Sequence, residues 1–151
     1  SARRLVGELL ANGKALAKFE QFVSAQGGDG NIVRDFSLLP RASECCTVMS
    51  EAAGFVQSIA AADIGLCATL LGAGRQYKGQ RIDLAAGLVM KVRIGDKIEA
   101  GQPLAELHAA TGENLAEAAA RLRAAVQIGQ QPPKPCQLLY GIVDENALRL
   151  I

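Results

Sequence analysis

Aromatic residues are scarce in this 151-residue sequence, which has no Trp, two Tyr, four Phe and a single His. The core must therefore come from Ala, Leu, Ile and Val. The stacking platforms of a single-strand nucleic-acid binder are missing. Charge of one sign is lacking too. Sixteen basic and 15 acidic residues leave a formal net charge of +1, without a long single-sign run. A nucleic-acid interface would need a basic stripe, so no nucleic-acid partner is expected. No apolar run is long enough to cross a bilayer, so no membrane partner is expected either. Ser1-Ala2-Arg3-Arg4 leads straight into an amphipathic pattern, unlike a secretory signal. Ser1-Ala2 has the look of a cloning scar, and with no initiator Met the chain is expected to be a piece of a longer one.

Cysteines number four, at 45, 46, 67 and 136, without a C-x-x-C pair. Adjacent Cys45 and Cys46 are poorly spaced for two ligands on one metal, and one His adds little. No metal site is assigned, and the thiols read as reduced, mostly buried and cytoplasmic.

Half the residues are apolar and 21% are charged, the balance of a chain with a packed core. Leu5, Leu9 and Leu10 fall at helical spacing over residues 4–12, ended by Asn12-Gly13. Leu16, Phe19, Phe22 and Val23 repeat the pattern over 14–26, before Gly27-Gly28. Residues 1–28 thus read as a helical hairpin with one apolar side, too small to bury that side alone. Residues 29–46 lack a period and carry Gly30 and Pro40, which predicts an extended linker.

A domain is expected over 47–151. Residues 47–49 and 55–59 are short strand candidates. An apolar helix through Ile64, Cys67 and Leu71 follows, with Asp63 near its positive end. Residues 82–84 and 88–92 read as strands, and turns are expected at Gly95-Asp96 and Ala100-Gly101. Leu104, Glu106 and His108 alternate with Ala105, Leu107 and Ala109, as in a strand. Corners this close together predict a small barrel or sandwich. An Ala-rich helix is predicted over 113–128, stopped by Gly129. Pro132-Pro133-Lys134-Pro135 is a stiff spacer, and 138–143 is a last strand candidate.

Few residues suggest chemistry. Gly72-Ala73-Gly74-Arg75 could cradle an anion, but phosphate loops precede a helix and this one follows it, so a helix stop with close packing is expected. His108 has no orienting partner or nucleophile legible in sequence, and reads as a half-buried strand residue. Asp63, Asp83 and Asp96 lie in separate elements, in cap and turn roles. Lys91 resembles the modified lysine of biotinyl and lipoyl carriers. In those modules, however, the lysine hairpin follows a turn like 94–102, whereas Lys91 precedes it. A solvated strand lysine is expected.

Several segments together resemble one family. Residues 17–29 are similar to the last helix of the large α/β domain of pyrimidine-nucleoside (thymidine) phosphorylases. Gly54-Phe55-Val56, Asp63-Ile64-Gly65, Leu70-Leu71-Gly72-Ala73-Gly74-Arg75, Ile82-Asp83-Leu84-Ala85-Ala86-Gly87 and 95–109 follow in the family's order. The resemblance implies an α+β C-terminal module built on a barrel-sandwich hybrid, the fold of biotinyl and lipoyl carriers, with an N-terminal helical segment and a C-terminal helix. It implies a cytoplasmic parent enzyme that reversibly phosphorolyses thymidine or uridine to free base and (deoxy)ribose 1-phosphate. The family's phosphate loop and base-holding residues are absent from these 151 residues. No catalytic, cofactor-binding or metal residue is therefore carried over, no cofactor is expected, and the chain alone is expected to be inactive. The expected partner is the large α/β domain, with self-association through residues 4–28. The alternative is a carrier or structural interaction module.

Overall fold

The computed structural model describes residues 1–135, 137–145 and 147–150. They form two compact units, Ser1–Arg41 and Ala42–Ile151.

The first unit contains α1 (Ala2–Ala11) and α2 (Lys14–Ala25). Gly13 joins them at φ +78°, a left-handed conformation that suits glycine. α2 ends as Gly28 N–H donates to the Val23 carbonyl at 3.0 Å. Where periodicity suggested extended chain, short 3₁₀ turns occur at Gly30–Val33 and Phe36–Leu38. Each is started by an aspartate, Asp29 or Asp35, whose carboxylate accepts the N–H two residues on at 2.9 Å. Arg34 returns to α2 and donates to both carboxylate oxygens of Glu20, at 2.8 and 2.7 Å. This pairing holds the Glu20 carboxyl below the usual carboxylate range.

The second unit is α+β. Sheet A is antiparallel in the order β1 (Glu44–Met49), β5 (Pro103–Ala109), β3 (Gly87–Met90). Sheet B is antiparallel in the order β4 (Lys97–Ile98), β2 (Gly54–Ile59), β6 (Val126–Gly129). Successive strands thus alternate between the sheets. The corners are held by backbone hydrogen bonds. At the turn over 94–96, Gly95 N–H donates to Val56 O and Val56 N–H donates to Asp96 O. At the next, Ser50 and residues 101–102 exchange a pair at 2.8 Å.

Two helices, α3 (Ala61–Ala68) and α4 (Leu115–Ala125), pack on each other, and α4 also packs against β1, β5 and β6. Val48, Leu107, Val56, Ile98, Cys67 and Leu122 are at most 1% exposed and centre the core. In β5, Ala105, Leu107 and Ala109 are buried and Glu106 and His108 partly exposed, as the alternation predicts, but Leu104, expected on the side of Glu106 and His108, is buried too. A Cβ at Gly54 would stand 2.5 Å from the Gly129 carbonyl oxygen, so the β2–β6 pairing needs glycine there.

Three further sequence expectations need correction. Residues 82–84 form no strand: Asp83 N–H bonds to Gly72 O, and its carboxylate accepts Ala85 N–H, a turn arrangement. The helix expected through 128 stops at Ala125, because β-branched Val126 and Ile128 pair with Ile59 and Val56 in sheet B. The last strand candidate shortens to β7 (Gly141–Val143), in a separate hairpin with β8 (Leu148–Leu150).

Candidate functional site

The glycine-rich segment closes α3. After a π-type turn at Thr69–Ala73, Gly72 adopts φ +106° and breaks the helix. A Cβ at Gly74 would lie 2.5 Å from Thr69 Oγ1, so this segment packs closely. Asn114, just ahead of α4, donates its side-chain N–H to the Leu70 carbonyl at 3.0 Å. Arg75 turns to its own loop, its Nε donating to Gln80 O at 3.2 Å. The segment ends a helix rather than starting one, so its amides lack the helix N-terminus that phosphate loops exploit.

The three aspartates hold turn and helix-start positions. Asp63 lies in the first turn of α3 and ion-pairs with Arg121 at 3.3 Å. Asp83 accepts from Ala85, and Asp96 accepts from Arg93 N–H at 2.7 Å. Lys91 is exposed just past β3 and pairs with Glu106 at 2.8 Å.

His108 has a neighbour that sequence reading missed. Register places Cys45 opposite it across β1 and β5, with Sγ 3.2 Å from Nδ1. The residues lie 63 positions apart, so only strand pairing reveals the contact. Cys67 is buried, its thiol donates to Ala118 O at 3.5 Å, and burial pushes that thiol up. Cys136 lies outside the described residues.

The hollows carry little chemistry. One of about 380 Å³ lies beside α4 between Asp63, Glu117 and Arg121. Arg121 Nε is buried there without a hydrogen-bond partner among the described residues. Another, of about 610 Å³, is apolar and lined by Ile94, Pro132, Pro133, Pro135 and Leu138, with Arg93 and Lys134 on it. Neither of these two joins a nucleophile, a base and an orienting group. Among the described residues, no three His, Cys, Asp or Glu are grouped to hold a metal ion. No described helix is long and apolar enough to cross a membrane.

The apolar side of the helical hairpin is the most conspicuous surface of the first unit. Neither α1 nor α2 has a buried residue, and Leu5, Leu10, Leu16, Phe19 and Phe22 are about half exposed or more. The periodicity that makes these helices amphipathic leaves a stripe that water penalises.

Residues 55–129 match the family model for the pyrimidine nucleoside phosphorylase C-terminal domain. Over 144 residues the chain is 42% identical to a pyrimidine-nucleoside phosphorylase of Bacillus subtilis (strain 168). It is 35% identical to that of Staphylococcus haemolyticus (strain JCSC1435) and 33% to that of Staphylococcus aureus (strain USA300). Each alignment covers 95% of this chain and 33% of the relative, so the chain spans about a third of the length of these relatives. They support a phosphorylase domain and give no support to a carrier, and Lys91, paired with Glu106, precedes the turn that a carrier lysine follows. With 144 of its residues aligned to phosphorylases and 55–129 matching their C-terminal domain, the chain belongs to the pyrimidine-nucleoside phosphorylase family, as its C-terminal domain.

Proposed function

We propose that this domain is a non-catalytic support in an enzyme that phosphorolyses thymidine or uridine, releasing the base and a (deoxy)ribose 1-phosphate. The observation that carries this reading is the pairing of a 95% alignment to one third of each phosphorylase with an unburied apolar hairpin. Phosphorolysis needs an anion held in place and charge on the departing base stabilised. Arg75, His108 and the 72–74 glycines lie in separate contacts that provide neither. Catalytic, cofactor and metal residues are accordingly assigned to none of the 151 positions.

Residues 1–28 serve in this reading as a strip of the large α/β domain, and the connector expected over 29–46 gives way at β1, from Glu44, to the C-terminal domain proper expected over 47–151. The large domain covers Leu5, Leu16, Phe19 and Phe22, and without it these residues drive self-association. The second unit is read as a barrel-sandwich hybrid, supported by strands that alternate between two sheets through glycine corners at Gly95 and Gly101. The cytoplasm is the proposed compartment, where thiols stay reduced.

The test is to incubate the purified chain with thymidine or uridine and phosphate, following free base by chromatography. No release is expected from the chain alone. Binding is then measured to the preceding two thirds of the Bacillus subtilis relative, with wild-type chain and with Phe19→Ser/Phe22→Ser. Wild-type binding that the double variant loses is expected. Base release by the chain alone, or binding indifferent to the double substitution, sinks the reading.

A further inference from the structure

The described thiols occupy three different environments. Cys46 and Cys45 are adjacent in β1 and point to opposite faces of sheet A. Cys46 packs against the core, whereas Cys45 is exposed. Cys67 is fully buried and donates to a backbone carbonyl. Only Cys45 stands beside an imidazole, with 3.2 Å between Sγ and His108 Nδ1. On the other side of His108 the register places Gly87, which has no side chain to cover the ring.

We propose that Cys45 is a thiol-modification site, with His108 as its base, that forms mixed disulfides with small disulfide compounds. The thiol proton passes to His108 Nδ1, and the Cys45 Sγ lone pair attacks one sulfur of the disulfide R–S–S–R. The S–S bond breaks, its electron pair leaves on the second sulfur, and the imidazolium returns the proton to give R–SH. The Cys45 sulfur passes from thiol to disulfide level in Cys45–S–S–R as the departing sulfur passes from disulfide to thiol level, so the exchange needs no further oxidant. A base at hydrogen-bond distance is the usual means of activating a thiol nucleophile. Among the described residues no thiol is placed to resolve the product: Cys46 faces the opposite side of the strand, and Cys67 is enclosed.

The charged groups around the pair are few. Glu106 occupies the neighbouring row, opposite Thr47 and Val89, and is engaged by Lys91. Glu44 precedes Cys45 in β1 and pairs in register with Ala109. From α4, Arg123 reaches the far end of β1, at the Met49 carbonyl and Glu51. None stands between Sγ and the imidazole.

The experiment uses the full chain with Cys136→Ser and glutathione disulfide as probe, with adducts quantified at each cysteine by peptide mass mapping. At neutral pH, Cys45 is expected to react about tenfold faster than Cys46, with Cys67 unmodified. His108→Gln is expected to slow Cys45 severalfold and leave Cys46 unchanged. That gap should close near about pH 10, where thiols ionise unaided. Equal rates at Cys45 and Cys46, an unaffected His108→Gln chain, or a gap that persists at high pH overturns the proposal. A wild-type pH profile needs no variant to fold: Cys45 should rise less steeply with pH than Cys46, and parallel profiles overturn the assignment.

Discussion

The two units of this chain are built from equally regular elements and differ in what those elements bury. In Ser1–Arg41 the helices are well formed, yet Val33 is the one buried hydrophobic described there. What ties that unit internally is the Arg34–Glu20 pair and two aspartate-started turns, all at its surface. In Ala42–Ile151 the strands are only two to seven residues long, yet two sheets and two helices enclose a shared apolar core. Short elements around a common core are secure, because burial supplies most of the stabilisation. Amphipathic helices of 10 and 12 residues without a partner surface are not, because helix propensity alone is marginal at this length. The β7–β8 hairpin sits with the core-bearing unit but resembles the helices in this respect, with Ile142, Val143, Leu148 and Leu150 all exposed.

Substitutions should separate the two regimes. Leu122→Ala removes a fully buried side chain of α4 and should destabilise the second unit by about 2–5 kcal/mol, read as a lower urea midpoint. A midpoint unchanged from wild type would mean that no shared core exists. Gly54→Ala places a methyl against the Gly129 carbonyl and Ile128, and should cost about 1–3 kcal/mol in the same titration. Tolerance of alanine there would deny the close β2–β6 approach.

Acid should act first on the other unit. The Arg34 hydrogen bond holds the folded-state carboxyl of Glu20 below its unfolded value. Its contribution is therefore complete above the ordinary carboxylate range and is lost as pH falls through the lowered value. Far-UV circular dichroism should show partial helix loss on acidification, before the core melts. Arg34→Met should remove that acid step, and a step that survives the substitution would assign it elsewhere. The smallest effect on stability belongs to Phe19→Ser/Phe22→Ser, expected within about 0.5 kcal/mol for the chain alone. The same pair should lower hydrophobic-dye binding, and unchanged dye binding would place the exposed apolar surface outside the hairpin.

Much of the fold was legible before the structure. Helices α1 and α2 follow from leucines and phenylalanines at helical spacing, and β5 from the alternation Ala105, Glu106, Leu107, His108. The turns at Gly95 and Gly101 follow from their glycines, both at positive φ. Where reading failed, a tertiary partner outweighed local preference. Residues 126–128 continue an apolar pattern that suits a helix, until β2 offers them a ladder. Ile82–Leu84 has the composition of a strand, but Gly72 claims the backbone N–H of Asp83.

Sequence by itself determined the family, through segments whose order along the chain is specific. It also determined which stretches are amphipathic, because periodicity is a local property. Tertiary structure alone decided which strands share a sheet, and hence that Cys45 meets His108 while Cys46, one residue on, faces the core. Strand register is set by the whole buried face at once, and a shift of one residue would turn every side chain over. A contact between residues so far apart in sequence is created only when that register closes.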